Sequence, residues 1–236
     1  MKKTLLLLAF AFTCPLVGQA ETVGIQNEIK TLKKQKEEIK DQARFHKMID
    51  SACEVYSAIA KGPQGEVPAS VLKNARCVAI LPNVITGALL VGGTMGEGVA
   101  SCLDKNGKWS QPAPISLKQG SLGLQAGGKS TDLVLFFQNQ VAVDNLKRGN
   151  FQVGTDISAV AGNYDSKVDT STAGIVVFNR TEGLFAGTSI NGSTIGNDAK
   201  DLDSYYGKQV SYTNLLEGRE MPDSSGYTEK LTKLLP

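Results

Sequence analysis

The chain has 236 residues, with 25 Lys and Arg against 23 Asp and Glu, 25 glycines, four cysteines and one histidine. That length supports one domain with a substantial core plus an extension. The near balance of charge excludes a chain drawn as a whole to nucleic acid by its own field, and the single histidine leaves little room for histidine-based catalysis.

The first twenty residues, "MKKTLLLLAFAFTCPLVGQA", begin with Lys2 and Lys3, continue with an apolar run from Leu5 to Phe12, and end with Gly18 and Ala20 before Glu21. This is the pattern of a secretory signal peptide, and it is too short for a membrane anchor. Phe12 and Thr13 before Cys14, and Pro15 after it, disfavour lipid attachment there. The expectation is an exported protein, periplasmic or peripheral to a membrane. Cleavage would remove two lysines and no acid, leaving 23 basic and 23 acidic residues and three cysteines, Cys53, Cys77 and Cys102. Three is an odd number, so the chain is not a disulfide-rich scaffold.

Residues 21–61 are polar and free of proline. Ile25, Ile29, Leu32, Ile39, Ala43, His46, Ile49, Cys53 and Tyr56 recur at steps of three, four or seven, which predicts one long amphipathic helix. "KGPQGEVP" stops it, and a short helix is expected over Ala69–Ala75. From Cys77 the composition shifts to Gly, Val, Ser and Thr. "CVAIL", "GALLVGG", "GVASCL", "ISLKQGSLGLQAGG", "DLVLFF", "FQVGTDISAVAG", "AGIVVFN" and "GLFAGTSI" read as strands, with Asn106-Gly107 as the clearest hairpin signal. "VAVDNLKRG" and "NDAKDLDSYYG" read as short helical turns, and "YTEKLTKLLP" as a terminal helix. Glycines within strands point to sharp bends, as a curved antiparallel sheet or a small barrel requires. "DLVLFF" and "AGIVVF" are apolar on both faces, which argues against an outer-membrane barrel.

Gly123-x-x-x-x-Gly128-Lys129-Ser130 matches the P-loop pattern. A P-loop needs a helix straight after the lysine, so that loop and helix amides converge on phosphate. Here "STDLVLFF" comes next, which prefers strand. No nucleotide site is expected. His46 and Cys53 lie seven residues apart on one helical face, but no third metal ligand is evident, and both read as packing residues. Asp201 and Asp203 read as solvated turn residues. No catalytic residue, metal or cofactor is expected. Cys77 and Cys102 bracket a block of strands, and the sequence leaves two readings open: a disulfide, or two reduced, buried thiols.

The helix carries the clearest functional signal. Lys30, Lys33, Lys34, Lys36, Lys40, Arg44 and Lys47 fall among only three acids, Glu37, Glu38 and Asp41, beside an Ile/Leu stripe. Such a helix suits an anionic membrane surface; a solvated helix docked on the domain, or a coiled-coil partner, is the other reading.

The blocks "VLKNARCVAILPNVITGALLVGGTMGEGVAS", "PAPISLKQGSLGLQAGGKSTDLVLFF", "NLKRGNFQVGTDISAVAG" and "GLFAGTSINGSTIGNDAKDLDSYYG", in this order, resemble the SYLF domain, also described as a lipid-binding and yeast actin-patch module. The resemblance runs from about Arg44 to Gly207. It implies a non-enzymatic module. Eukaryotic relatives bind phosphoinositides with help from a basic N-terminal helix, and some bind actin. Bacterial relatives are mostly exported. In the family the position of Lys129 is commonly glutamine. Lys73 and Arg76 in "VLKNARC" fit the family's basic pattern.

The chain is therefore expected to be α+β, with a curved antiparallel sheet or small barrel-like core. Its parts are a leader (1–20), a basic helical extension (21–43), a SYLF-like domain (44–207) and a C-terminal tail (208–236). The expected partner is an anionic phospholipid surface, contacted by Lys30, Lys33, Lys34, Lys36, Lys40, Arg44, Lys47, Lys73 and Arg76. A protein partner or homo-oligomer is the alternative.

Overall fold

The computed structural model describes residues 15–62, 65–88, 91–122, 127–161, 173–182 and 190–236. In chain order the elements are α1 (Pro15–Ala60), β1 (Lys61–Gly62), β2 (Gly65–Glu66), α2 (Ala69–Asn74), β3 (Cys77–Ala88), β4 (Val91–Cys102), β5 (Ala113–Leu122), β6 (Gly127–Phe137), α3 (Gln140–Arg148), β7 (Asn150–Gln152), β8 (Ala159–Ala161), β9 (Ile175–Glu182), β10 (Thr194–Asn197), α4 (Ala199–Tyr206), α5 (Tyr212–Leu216) and α6 (Glu229–Thr232). The described residues divide between two compact units whose boundary lies inside α1, between Asp41 and Gln42. The expected leader residues before Pro15, most of "GLFAGTSI" and residues 123–126 of the P-loop match lie outside the described residues.

Within Gln42–Pro236, β1 and β2 form a small ribbon and the other strands form one eight-stranded sheet in the order β7-β10-β5-β4-β3-β6-β9-β8. Chain connectivity requires this sheet to curl. Laid flat, eight strands would hold the edges about 34 Å apart at ~4.8 Å per step. Yet the edge strands β7 and β8 are joined only by residues 153–158, which reach at most about 24 Å. The result is the expected curved, barrel-like sheet, a half-barrel of mixed rather than purely antiparallel pairing. The exception is β8, which runs parallel to β9. "FQVGTDISAVAG" is therefore not one strand. It breaks at Gly154, whose φ of +91° belongs to the left-handed region, and its halves close opposite edges of the sheet.

Runs apolar on both faces are explained by cover on both faces. Leu133, Leu135 and Phe137 of β6 pack with Ile175 and Val177 of β9, under Leu146 of α3 and Leu215 and Leu216 of α5. Val134, Phe136, Val176 and Phe178 face the other way, under Phe45, Ile49, Ala52, Val55, Tyr56 and Ile59 of α1, Val71 of α2 and Leu231 of α6. The docked ridge of α1 thus differs from the stripe expected there. Ile49 and Tyr56 are buried, but Ala43 is exposed, and Phe45, Ala52, Val55 and Ile59 complete the face.

Several local expectations hold. Asn106-Gly107 lies in the β4–β5 hairpin, where Asp104 Oδ1 accepts the amides of Asn106 (2.7 Å) and Lys108 (2.9 Å). α3 is capped by Asn139, which accepts from the Ala142 amide, and ends at Gly149 with φ +80°. Cys77 and Cys102 are register partners on β3 and β4 and form a disulfide, which resolves the two readings left open. Residues 208–236 are packed into the domain: Tyr212, Leu215 and Leu216 join one core cluster, and Leu231 and Leu235 the other.

Candidate functional site

β3 carries a bulge midway along its length. Its register against β6 shifts between Leu81 and Val84, and Pro82 and Asn83 fill the gap. Asn83 adopts φ 52°, in the left-handed region that Asn tolerates better than most residues. Its amide donates to Asp132 Oδ1 (3.0 Å), and Arg180 grips the other oxygen of Asp132 at 2.6 Å and 3.0 Å. β4 passes so close to this point that a Cβ on Gly98 would lie 2.1 Å from the Ile80 carbonyl oxygen, so only glycine fits.

Before the bulge, the α1-facing side of the sheet is Val78, Ile80, Val99 and Val134, all buried. Beyond it the same side carries Ile85 on β3, its register partner Met95 on β4, and Lys118 on β5, the partner of Met95. Ile85 is 56% and Met95 65% exposed. These residues, with Arg44, Lys47, Met48 and Ser51 of α1, Glu97 of β4 and Asp198, border a cleft of about 540 Å³.

A polar clamp holds α1 at the edge of this cleft. Gln42 Nε2 donates to the Tyr205 carbonyl (3.0 Å), and Phe45 stacks on the Tyr205 ring at 4.5 Å. Arg44 donates to Asp201 Oδ1 (2.9 Å) and Glu97 Oε2 (2.8 Å). Asp201, expected to be solvated, is instead buried, and it also accepts from the Tyr205 hydroxyl (2.9 Å). Its position at the foot of the clamp depends on how α4 docks, which turn composition does not reveal. Burial raises the Asp201 carboxyl above the usual range, against the pull of the Tyr205 hydroxyl and Arg44.

The expected lipid-contacting residues fall into three groups. Lys30, Lys33, Lys34, Lys36 and Lys40 are exposed on α1, with Lys34 3.6 Å from Glu38, and the apolar residues between them are exposed too, Leu32 at 64% and Ile39 at 71%. Arg44 and Lys47 border the cleft, but the Arg44 charge is already matched by two acids. Lys73 and Arg76 are exposed at the opposite end of β3, where eight residues separate Arg76 from Ile85, roughly 30 Å along a strand. The cleft also recruits Lys118, which sequence reasoning missed. Alternation in "ISLKQGSL" separates Lys118 from the core-facing Ile115 and Leu117, but its proximity to α1 is a matter of register.

Gly127–Ser130 of the P-loop match belong to strand β6, which continues to Phe137, so no helix terminus stands there to hold phosphate. His46 stacks on Tyr227 with ring centroids 3.7 Å apart, and half-buried Cys53 is a free thiol. Among the described residues there is no group of three side chains able to hold a metal, and no helix long and apolar enough to cross a membrane.

Comparison with known proteins identifies several relatives. LAS seventeen-binding protein 3 of Saccharomyces cerevisiae is 28% identical over 169 residues, covering 68% of this chain and 37% of the relative. Protein YSC84 of the same yeast is 30% identical over 166 residues, covering 67% and 35%. The human SH3 domain-containing YSC84-like protein 1 is 29% identical over 163 residues, covering 66% and 47%. The chain thus matches between about a third and half of the length of these relatives. Their names describe binding and SH3-containing proteins, not enzymes. No solved structure matches the chain. The Ysc84 family, described as Las17-binding protein actin regulator, matches over residues 118–235. With half of its length matched in this way, the chain belongs to the Ysc84, or SYLF-domain, family.

Proposed function

We propose that this chain is a non-enzymatic lipid-binding protein that associates with anionic phospholipid through the basic part of α1. One observation carries the reading. Between Gln26 and Lys40 the helix is exposed throughout, and it presents Ile29, Leu32 and Ile39 among five exposed lysines. A helix of this kind lies in a membrane interface with its apolar residues among the acyl chains and its ammonium groups at the phosphates. Each lysine near an anionic surface contributes about 1 kcal/mol, and each buried Ile or Leu about 1.5–3 kcal/mol. Lys47, Lys73 and Arg76 supply further exposed charge from the folded domain. An exported location, periplasmic or membrane-peripheral, is part of the same reading. It is supported by the leader-like first twenty residues and by the Cys77–Cys102 disulfide, which persists in oxidising compartments.

Vesicle co-sedimentation tests the reading. The full chain should pellet with phosphatidylglycerol vesicles and not with phosphatidylcholine vesicles, and added salt should release it. A variant with Lys30, Lys33, Lys34, Lys36 and Lys40 changed to Glu should stay in the supernatant. Unchanged pelleting of that variant would remove the helix from the account.

The relatives' names favour a second reading. LAS seventeen-binding protein 3 is named for a protein partner, so the same exposed segment of α1 would dock a protein or a second copy of this chain. A stable oligomer in light scattering that Leu32→Glu with Ile39→Glu dissolves, with no binding to either vesicle, would select this reading.

A further inference from the structure

The geometry points to the cleft between α1 and strands β3–β5 as a binding site for one anionic amphiphile, a single acyl chain carrying an acidic head group. The inference rests on the lipid-binding reading only for the class of ligand. Its residues belong to the folded domain and not to the exposed segment of α1.

The size is suitable. Small-molecule sites occupy about 300–1,000 Å³, and this cleft measures about 540 Å³. Its apolar surface comes from an interruption in cover. The docked turns of α1 lie over Val78, Ile80 and Val99, whereas past the bulge at Pro82 and Asn83 the same side of the sheet leaves Ile85 and Met95 mostly exposed. Met48 of α1 borders them. Two thioethers and one branched aliphatic make an adaptable wall, suited to a flexible chain rather than to a rigid ring.

The charges around this wall are not equivalent. Glu97 is paired with Arg44, and Asp198 caps α4 by accepting the Asp201 amide (3.0 Å). Lys47 on α1 and Lys118 on β5 also border the cleft, and neither side chain has a hydrogen-bond or ion-pair partner among the described residues. The register row Ile85–Met95–Lys118 places one of these lysines on the strand position next to the apolar wall. An apolar channel bordered by two uncommitted cations and by acids already engaged is complementary to an anionic head on an apolar tail. A neutral lipid would leave both lysines unanswered, and a soluble anion would leave Ile85 and Met95 uncovered.

Calorimetric titration of the full chain, delipidated, tests this with oleate and oleoyl-lysophosphatidylglycerol below their micelle concentrations, and with oleoyl-lysophosphatidylcholine as the zwitterionic control. Saturable one-to-one binding of an anionic probe, with the control bound at least about tenfold more weakly, is the expected result. Preference between the two anionic probes identifies the head group as carboxylate or phosphate. Lys47→Glu with Lys118→Glu should weaken the preferred probe by about tenfold or more. Met95→Asp should abolish binding, and its exposed position allows the fold to be checked by an unchanged melting curve.

Lys118→Glu alone and Met95→Asp, which leave the lysines of α1 intact, should still pellet with phosphatidylglycerol vesicles, and the five-lysine variant of α1 should still bind the probe. Failure of the cleft and failure of the helix are thereby separate outcomes. Absence of saturable binding in the wild type, or equal binding by Met95→Asp, would overturn the inference. So would a dimer in light scattering that Met95→Asp converts to monomer, because a second copy would then be the occupant.

Discussion

Arg44 distinguishes a membrane contact from an internal clamp, and its replacement by Gln separates the two. The Asp201 side chain is only 5% exposed, and Arg44 is the cation that reaches it, at 2.9 Å. Without the guanidinium, the carboxylate keeps the Tyr205 hydroxyl and little else. Breaking a buried pair costs about 3–5 kcal/mol, while an exposed pair is worth about 0–1 kcal/mol. Arg44 is 42% exposed and Glu97 53%, so solvent screens part of the interaction and the Glu97 contact adds little. An intermediate loss of about 2 kcal/mol is expected, lowering the melting temperature by about 4–8 °C for a domain of this size. The pH dependence has a definite sign. Burial already raises the folded Asp201 carboxyl above its unfolded value of 3.8, and removing Arg44 raises it further. The deficit of Arg44→Gln is therefore full at neutral pH and shrinks as pH falls through that raised value, because protonation relieves the orphaned charge. Thermal melts from pH 7 to pH 4 read it directly. A variant as stable as the wild type at pH 7, or one whose deficit grows on acidification, would refute the clamp.

The disulfide and the Asp50 contacts give two further expected outcomes. Replacing Cys77 and Cys102 by Ala, in a Cys53→Ser background, should cost about 3.5 kcal/mol, the loop-closure value for a separation of 25 residues, and reductant should destabilise Cys53→Ser alone by a similar free energy. A change below about 1 kcal/mol in chemical denaturation would show that the β3–β4 hairpin already constrains that loop when unfolded. The Tyr227 hydroxyl, followed by Lys230, holds the Asp50 carboxyl below 3.8, so its contribution is present above that pH and is lost as pH falls below it. Asp50→Asn should be less stable at pH 7 by no more than about 1 kcal/mol, with melts that converge on the wild type in acid.

Much of the fold was legible in the sequence because it depends on neighbours along the chain. Helix periodicity over residues 21–61, the stop at "KGPQGEVP", the cap at Gly149 and the Asn106-Gly107 hairpin are local chemistry, and the structure has each. The failed P-loop match was equally local, since β-prone residues come directly after Lys129. The apolar character of β6 and β9 on both faces announced a sheet covered on both sides, although not what covers it.

What the sequence determined by itself is the inventory: one long basic helix, a glycine-rich set of strands, and the family to which their order belongs. What tertiary structure alone decided is partnership across distance. The split of "FQVGTDISAVAG" between two sheet edges, the burial of Asp201 beneath Arg44, and the alignment of Ile85, Met95 and Lys118 all depend on strand register and helix docking. Register is set by which face of each strand is buried against elements far away in the chain, and periodicity within one segment contains no information about that choice.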